Sequence, residues 1–165
     1  MRILIIEDEQ KFIDQAKEEL SGHELTFATT CVEAEKLLTG NGHWFKEDAE
    51  FPFDVVLTDL HLPISYHGTG ETKVIGRNTE TKEAITVPTT KLYGESIPYG
   101  VIFAMAAMRR GVPVAICSQG GHHNSPMNFT LDIAGDSGKV VMIGGCKFLY
   151  DEYKKWGESF KKLVG

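Results

Sequence analysis

Charged and hydroxyl side chains follow closely after short apolar runs in this 165-residue sequence. The runs lie at residues 3–6, 55–57, 112–117 and 140–143 and are rich in Val and Ile. The side chains that follow them are Glu7, Asp8, Thr58, Asp59, Ser118 and Lys147. Continuous apolar runs are typical of strands buried on both faces, which make parallel sheets. Because ligands bind beyond the carboxyl ends of such strands, we expect these side chains to share one pocket.

Three of these side chains, Glu7, Asp8 and Asp59, are carboxylates that repel one another unless a cation lies among them. Hard oxygen ligands favour Mg²⁺, which commonly uses one or two carboxylates, several waters and a phosphate oxygen. A Lys and a Ser beside that ion would neutralise and hydrogen-bond the oxygens of a phosphoryl group. An Asp carboxylate can itself attack phosphorus and form an acyl phosphate. The residue types therefore indicate a magnesium-dependent phosphoryl acceptor.

Helical segments separate the apolar runs and would position these side chains. Apolar residues recur at helical spacing within residues 12–20, 32–38, 97–108 and 149–163. In the last segment the lysines fall largely off the apolar stripe, as in a solvated helix face; they are Lys154, Lys155, Lys161 and Lys162. The alternation of strands and helices predicts an α/β fold with an open sheet and right-handed crossovers.

The segment at about 64–95 is longer than strand–helix alternation requires. It contains two strand-like pieces, at residues 72–75 and 84–87. We predict an inserted β-hairpin folded over the sheet edge, or a loop, since a structureless segment of this length is uncommon in a compact domain. No linker or repeat divides the chain, so residues 1–165 are expected to form a single domain.

Two stretches of the sequence resemble the N-terminal signatures of response-regulator receiver domains, the phosphoryl-accepting modules of two-component signalling. They are Ile-Leu-Ile-Ile-Glu-Asp-Glu at 3–9 and Asp-Val-Val-Leu-Thr-Asp-Leu-His-Leu-Pro at 54–63. The match includes the acidic pair after the first strand, the phosphoacceptor Asp after the third, and a Pro four residues beyond it. Gly-Val-Pro-Val-Ala-Ile-Cys-Ser at 111–118 is similar to the family's fourth strand, which ends in Thr or Ser.

The resemblance implies a flavodoxin-like three-layer sandwich with a five-stranded parallel sheet in the order 2-1-3-4-5. It implies that Asp59 is phosphorylated and that Mg²⁺ is the cofactor. Asp8 and Asp59 would bind the ion directly, and Glu7 would bind it through water. The backbone carbonyl of His61 would complete the protein ligands.

The same resemblance assigns Ser118 to contact the phosphoryl group and Lys147 to pair with it. The family usually has Pro after this lysine, whereas Phe148 follows here. Lys147 also lies four residues past the run that ends at 143, further than is usual, so Lys139 remains a competing candidate. The residue after the hydroxyl is usually small, whereas Gln119 occupies that place.

Composition limits the classes of function. The chain has 17 basic and 23 acidic residues and a net charge of −6, which argues against a general polyanion binder. No apolar run approaches the roughly 18 residues of a membrane span, and the first residues turn acidic too soon for a secretory signal. Three cysteines without a CxxC pair indicate neither a disulfide framework nor a zinc knuckle. A cytoplasmic protein without nucleic-acid or membrane partners is expected.

These inferences favour a stand-alone receiver that takes a phosphoryl group from a histidine kinase or phosphotransfer protein and signals by protein–protein contact. It would not be a conventional turnover enzyme. One alternative is a pseudo-receiver, a binding module of the same fold that phosphorylation does not switch. Another is a metal-dependent phosphohydrolase, although His61 occupies the second acidic place of an Asp-x-Asp motif. A transition-metal site from histidines 61, 67, 122 and 123 with Cys117 or Cys146 is a further alternative.

Overall fold

The computed structural model describes residues 1–39, 51–63, 72–77, 84–88, 96–119 and 136–165. The strands are β1 (Arg2–Ile6), β2 (Glu24–Ala28), β3 (Val55–Thr58), β4 (Leu62–Pro63), β5 (Thr72–Arg77), β6 (Ala84–Pro88), β7 (Ser96–Ile97), β8 (Val114–Cys117), β9 (Val140–Ile143) and β10 (Cys146–Asp151). The helices are α1 (Gln10–Glu19), α2 (Cys31–Thr39), α3 (Tyr99–Arg109) and α4 (Trp156–Val164). Within these ranges, no helix combines the length and the apolar character that crossing a membrane requires.

Six strands form one sheet in the order β2-β1-β3-β8-β10-β9. Neighbours among the first five pair in parallel, and β9 pairs antiparallel with β10. The five parallel strands have the order 2-1-3-4-5, which is the order of flavodoxin-like folds. The predicted fold class is confirmed, with one antiparallel strand added at the edge.

Helices cover both faces of this sheet. Successive side chains of each strand point to opposite faces, so each strand contributes to both cores. Ile3 and Ile5 of β1 belong to the core shared with α1 and α4, whose buried members include Phe12 and Trp156. Leu4 and Ile6 belong to the core shared with α2 and α3. The result is the three-layer arrangement that the resemblance to receiver domains implies.

The apolar run at residues 140–143 is a strand, but it is not the last parallel strand that its position predicts. Gly144 and Gly145, with φ of +58° and +85°, make the two-residue turn between the paired residues Ile143 and Cys146. Such hairpin turns need positive φ, which glycine adopts without steric cost. The chain therefore reverses after β9, and β10 becomes the fifth parallel strand.

The segment at about 64–95 is enclosed by two short paired strands. Leu62 pairs with Ile97 and Pro63 pairs with Ser96 across β4 and β7, so the residues before and after the segment meet. The strand-like pieces within it, β5 and β6, pair antiparallel in a separate two-stranded sheet. The predicted position over the sheet edge depends on residues 64–71, 78–83 and 89–95, which lie outside the described residues.

Candidate functional site

Glu7 and Asp59 lie next to each other because each directly follows one of two adjacent parallel strands. Ile6 pairs with Thr58 at the end of the β1–β3 ladder. The Asp59 backbone N–H donates to the Ile6 carbonyl at 2.8 Å. Carboxylate oxygens of Glu7, Asp8 and Asp59 all lie within 4.8 Å of one another. The structure thus brings together the three acids that the sequence places after strands.

A polar cleft of about 190 Å³ opens at this edge of the sheet. Its lining residues are Asp8, Glu9, Asp59, His61, Ser118, Gln119 and Lys154. Glu7 is fully buried, Asp59 is 6% exposed, and Asp8 is exposed. The acids that line the cleft and could contact a bound cation are therefore the exposed Asp8 and Glu9 and the largely shielded Asp59, while Glu7 is buried behind them.

Lys154 supplies the positive charge beside the two buried acids. Its Nζ lies 2.8 Å from Glu7 Oε2 and 2.9 Å from Asp59 Oδ2, and its side chain is 3% exposed. The prediction that Lys154 belongs to a solvated helix face is wrong. The last helix begins only at Trp156, so Lys154 lies in the turn between β10 and α4. The ammonium relieves the repulsion between two neighbouring carboxylates.

The structure separates Lys147 from the acidic cleft, which corrects the expected lysine assignment. Lys147 is the second residue of β10 and pairs with Met142 of β9. It lines a groove with Val55 and Pro113, at the amino ends of the parallel strands. The competing candidate, Lys139, is exposed, precedes β9 and does not line the cleft. The glycine turn after β9 is the physical reason, because it reverses the chain before Lys147.

A signal for Lys154 was present in the sequence. A Gly-Gly dipeptide between two strand-like stretches is typical of a two-residue hairpin. Interpreted in that way, Cys-Lys-Phe-Leu-Tyr-Asp at 146–151 is the parallel strand, and Lys154 lies three residues beyond its end. The apolar residues of 149–163 recur at helical spacing, which favoured a helix over the whole stretch and hid the strand. Leu149 in fact belongs to β10 and not to the helix.

Burial raises the pKa of Glu7 to about 7. The ammonium of Lys154 opposes the rise, the charge of Asp59 adds to it, and the Glu9 backbone N–H opposes it by donating to Glu7 Oε1 at 3.0 Å. Burial also raises the pKa of Asp59, against the effect of Lys154 and of the Leu60 N–H, which donates to Asp59 Oδ1 at 2.6 Å. Negative charge at the site is therefore only partly compensated by the protein.

Ser118 lies at the end of β8, on the side of the cleft nearest β10. Its backbone N–H donates to the Asp151 carbonyl at 2.9 Å, and the residue is 2% exposed. The exposed Gln119 lines the cleft beside it. The parallel register of β3, β8 and β10 therefore brings the predicted hydroxyl to the same edge as Asp59.

Gly100, at the start of α3, supports the loop that carries Asp59 and was missed by sequence reasoning. Its backbone N–H donates to the Leu60 carbonyl at 3.1 Å. A Cβ at this position would overlap the backbone carbonyl oxygen of Asp59. Only glycine permits this close approach of a helix to the backbone of the site.

Of the described residues proposed as transition-metal ligands, only one lies at the cleft. His61 lines the cleft, whereas His67, His122 and His123 lie outside the described residues. Cys117 is fully buried, and Cys146 donates to the Val112 carbonyl at 2.9 Å at the opposite end of the sheet. Over the described ranges, the metal-ligating groups that gather are the three acids.

The chain is a flavodoxin-like α/β protein with an acidic cleft at the carboxyl edge of its sheet. Among similar solved structures is a response regulator receiver domain protein from Clostridium thermocellum. It is 19% identical, with a TM-score of 0.47, and the match covers 99% of this chain and 98% of that chain.

The receiver domain of the hybrid histidine kinase CckA is 17% identical, with a TM-score of 0.46 and full coverage of both chains, 100% and 100%. A CheY-like receiver domain protein from Methanospirillum hungatei JF-1 is 15% identical, with a TM-score of 0.45, and the match covers 98% of this chain and 97% of that chain. No protein-family model matches the sequence, and no curated protein matches it.

Proposed function

We propose that this protein is a response-regulator receiver that accepts a phosphoryl group on Asp59 in a Mg²⁺-dependent reaction. The observation that carries the proposal is the convergence of Glu7, Asp8 and Asp59 beside the Lys154 ammonium. Of the two acids paired with Lys154, Asp59 is the one that lines the cleft. A donor that enters the cleft would therefore meet Asp59.

The charges and the chemistry of the acids fit a divalent cation. Three carboxylates and one ammonium leave two negative charges when all four groups are ionised. Carboxylate oxygens are hard ligands of the kind that Mg²⁺ prefers. Asp8 and Asp59 would hold the ion directly and Glu7 through water, with the His61 backbone carbonyl as a further ligand. When bound, Mg²⁺ would neutralise charge on the oxygens of the transferring phosphoryl group.

In the proposed transfer, a carboxylate oxygen of Asp59 attacks the phosphorus of the donor. For a phosphohistidine donor, a new O–P bond forms and the N–P bond breaks, and the imidazole nitrogen leaves with the electron pair. The product on Asp59 is an acyl phosphate. For acetyl phosphate, the O–P bond to acetate breaks in the same way and acetate leaves.

Lys154 takes the role that the resemblance to receiver domains assigned to Lys147. Its ammonium already lies within ion-pair distance of Asp59, so it can attract the anionic donor group and stabilise the acyl phosphate. Ser118 lines the same cleft and would donate a hydrogen bond to a phosphoryl oxygen. The donor would be a histidine kinase or a phosphotransfer protein in the cytoplasm, and the output would be a protein–protein contact.

Phosphorylation by acetyl phosphate with Mg²⁺, followed by intact-protein mass spectrometry, tests the proposal. We expect a mass gain of one phosphoryl group that is lost in Asp59→Asn and on chelation of Mg²⁺. Asp54→Asn is the matched control, because Asp54 precedes β3 and its carboxylate pairs with Arg2 instead of Lys154. A gain that survives Asp59→Asn, or no gain in the unchanged protein, contradicts the proposal.

Two further measurements separate the alternatives. Beryllofluoride with Mg²⁺ mimics the phosphoryl group, and we expect NMR shift changes around Asp59 and Ser118. Their absence would favour the pseudo-receiver. Steady turnover of a generic phosphate ester, abolished by chelation, would favour the phosphohydrolase.

A further inference from the structure

The side chain of Gln15, on α1, contacts the segment that carries Lys154. Its Nε2 donates to the Lys154 backbone carbonyl at 3.0 Å and to Glu19 Oε1 at 2.6 Å. Both acceptors lack hydrogens, so the amide nitrogen, with its two hydrogens, must face them. Gln15 therefore has a single orientation in which both of its donors are used.

Glu19 extends this connection to the start of α4. Its Oε2 accepts the Gly157 backbone N–H at 2.7 Å, while its Oε1 accepts Gln15. The side chain of Lys155, the N-cap residue of α4, makes no capping hydrogen bond. Glu19 thus satisfies one of the N–H groups that the first turn leaves unpaired, where a carboxylate is also favoured by the helix dipole. A Cβ on Gly157 would lie 3.3 Å from Glu19 Oε2, so glycine allows the approach.

Phe12, also on α1, contacts the ammonium end of the Lys154 side chain. The Lys154 Nζ lies 4.3 Å from the centroid of the Phe12 ring. The Phe12 backbone carbonyl accepts the Nε1–H of Trp156 at 3.1 Å, and Trp156 is fully buried. Both the backbone and the ammonium of Lys154 are therefore held by α1, the helix that directly follows the acids.

We propose that Gln15 and Glu19 are positioning residues that set where the Lys154 ammonium lies relative to Asp59. This inference rests on the proposed function for its consequence in phosphoryl transfer. A lysine side chain has four flexible carbons, so its ammonium holds one place only if the backbone beneath it is fixed. Displacements of about 1 Å at a reacting centre can cost on the order of 100-fold in rate.

An NMR measurement without any phosphodonor tests the positioning directly. The Lys154 Nζ lies over the Phe12 ring, 4.3 Å from its centroid, so we expect the ring current to displace the resonance of the adjoining ε-methylene protons upfield. We expect Gln15→Leu and Glu19→Leu to lose this displacement in lysine-labelled protein. Gln10→Leu is the matched control, because Gln10 donates to Asp14 Oδ1 at 2.8 Å on the same helix and makes no such bond to residues 154–157. It should keep the displacement.

A rate measurement then tests the functional consequence. We expect the rate of Asp59 phosphorylation by acetyl phosphate to fall about tenfold or more in Gln15→Leu and to stay unchanged in Gln10→Leu. An unchanged Lys154 resonance in both test variants would overturn the inference, as would an equal change in the control. If the unchanged protein is never phosphorylated, the proposed function fails while the NMR result still decides the positioning. Chemical denaturation of each variant separates a local shift from general loss of stability.

Discussion

Lys147 and Lys154 lie near opposite ends of strand β10, and their surroundings differ completely. Lys147 borders a groove of about 350 Å³ at the amino ends of the strands, which it shares with Met1, Met142 and Leu163. Lys154 lies in the polar cleft at the carboxyl ends, in contact with two acids. The direction of strand β10 therefore decides which lysine lies beside the acids. The distance of a lysine along the sequence from an apolar run does not decide it.

Removing the charge of each lysine in turn should give the largest difference in stability between the two positions. Lys154→Met keeps most of the apolar stem but leaves two buried carboxylates without their cation. We expect the free energy of unfolding to fall by about 3 kcal/mol. Lys147→Met should change it by less than about 0.5 kcal/mol, because that lysine contacts neither acid. Urea denaturation without Mg²⁺ measures both, and equal losses would remove the distinction.

The stability of the protein should depend on pH, because Glu7 titrates in the acid cluster beside Lys154. The pKa of Glu7 rises from 4.5 to about 7 on folding. The folded state therefore binds more protons than the unfolded state between these values, and stability falls as the pH rises. The stability that Glu7 contributes is fully present below pH 4.5 and is lost above about pH 7. The free energy of unfolding changes by on the order of 3 kcal/mol across this range.

Denaturation of the metal-free protein across that range measures the effect. Glu7→Gln removes the titrating group and should show a correspondingly smaller decrease. Saturating Mg²⁺ should also reduce the dependence, because a nearby cation lowers carboxylate pKa values. A decrease of the same size in the Glu7→Gln variant would contradict the assignment.

Gly100 tests how closely the loop of Asp59 is supported. Gly100→Ala places a methyl group against the backbone carbonyl of Asp59. We expect a loss of about 2 kcal/mol in the free energy of unfolding, because the start of α3 must move. Gly22→Ala is the matched control, since nothing lies within 4 Å of its added carbon. That variant should lose no stability, and thermal or urea denaturation distinguishes the two.

The turn that reverses the chain before Lys147 gives the smallest expected effect. Gly144 has a φ of +58°, which costs a non-glycine residue about 1–2 kcal/mol. Gly144→Val should therefore lose about 1.5 kcal/mol, whereas Gly144→Asn should lose less because Asn tolerates this conformation. Comparison of their denaturation midpoints checks the prediction. Equal stability of the two variants would argue against a left-handed turn at this point.

The first part of the site could be predicted because its geometry follows from neighbouring strands. Glu7 and Asp59 directly follow strands β1 and β3, and parallel pairing of those strands places the two acids together. No residue intervenes between strand end and functional side chain. Ser118 was predictable for the same reason, since it directly follows β8.

The lysine could not be placed by the same reasoning, because two residues separate Lys154 from the end of β10. Lys154 and the lysines beyond it fall off the apolar stripe that includes Trp156, and this pattern favoured a solvated helix face. The interpretation failed where a hairpin turn and a short connection replaced simple alternation of strand and helix. Gly100 was missed because its closeness to Asp59 depends on how α3 packs.

The amino-acid pattern by itself predicted the α/β class and the three acids at one edge, because continuous apolar runs mark buried parallel strands and the acids directly follow two of them. The strand order 2-1-3-4-5 was implied only by the resemblance to receiver domains. The Gly-Gly pair signals where the chain reverses, but the contact of Lys154 with these acids was decided by tertiary structure. The glycine turn sets the direction of β10, and α1 then holds the segment of Lys154 through Gln15, Glu19 and Phe12. These contacts join residues far apart in the chain, so no local pattern encodes them.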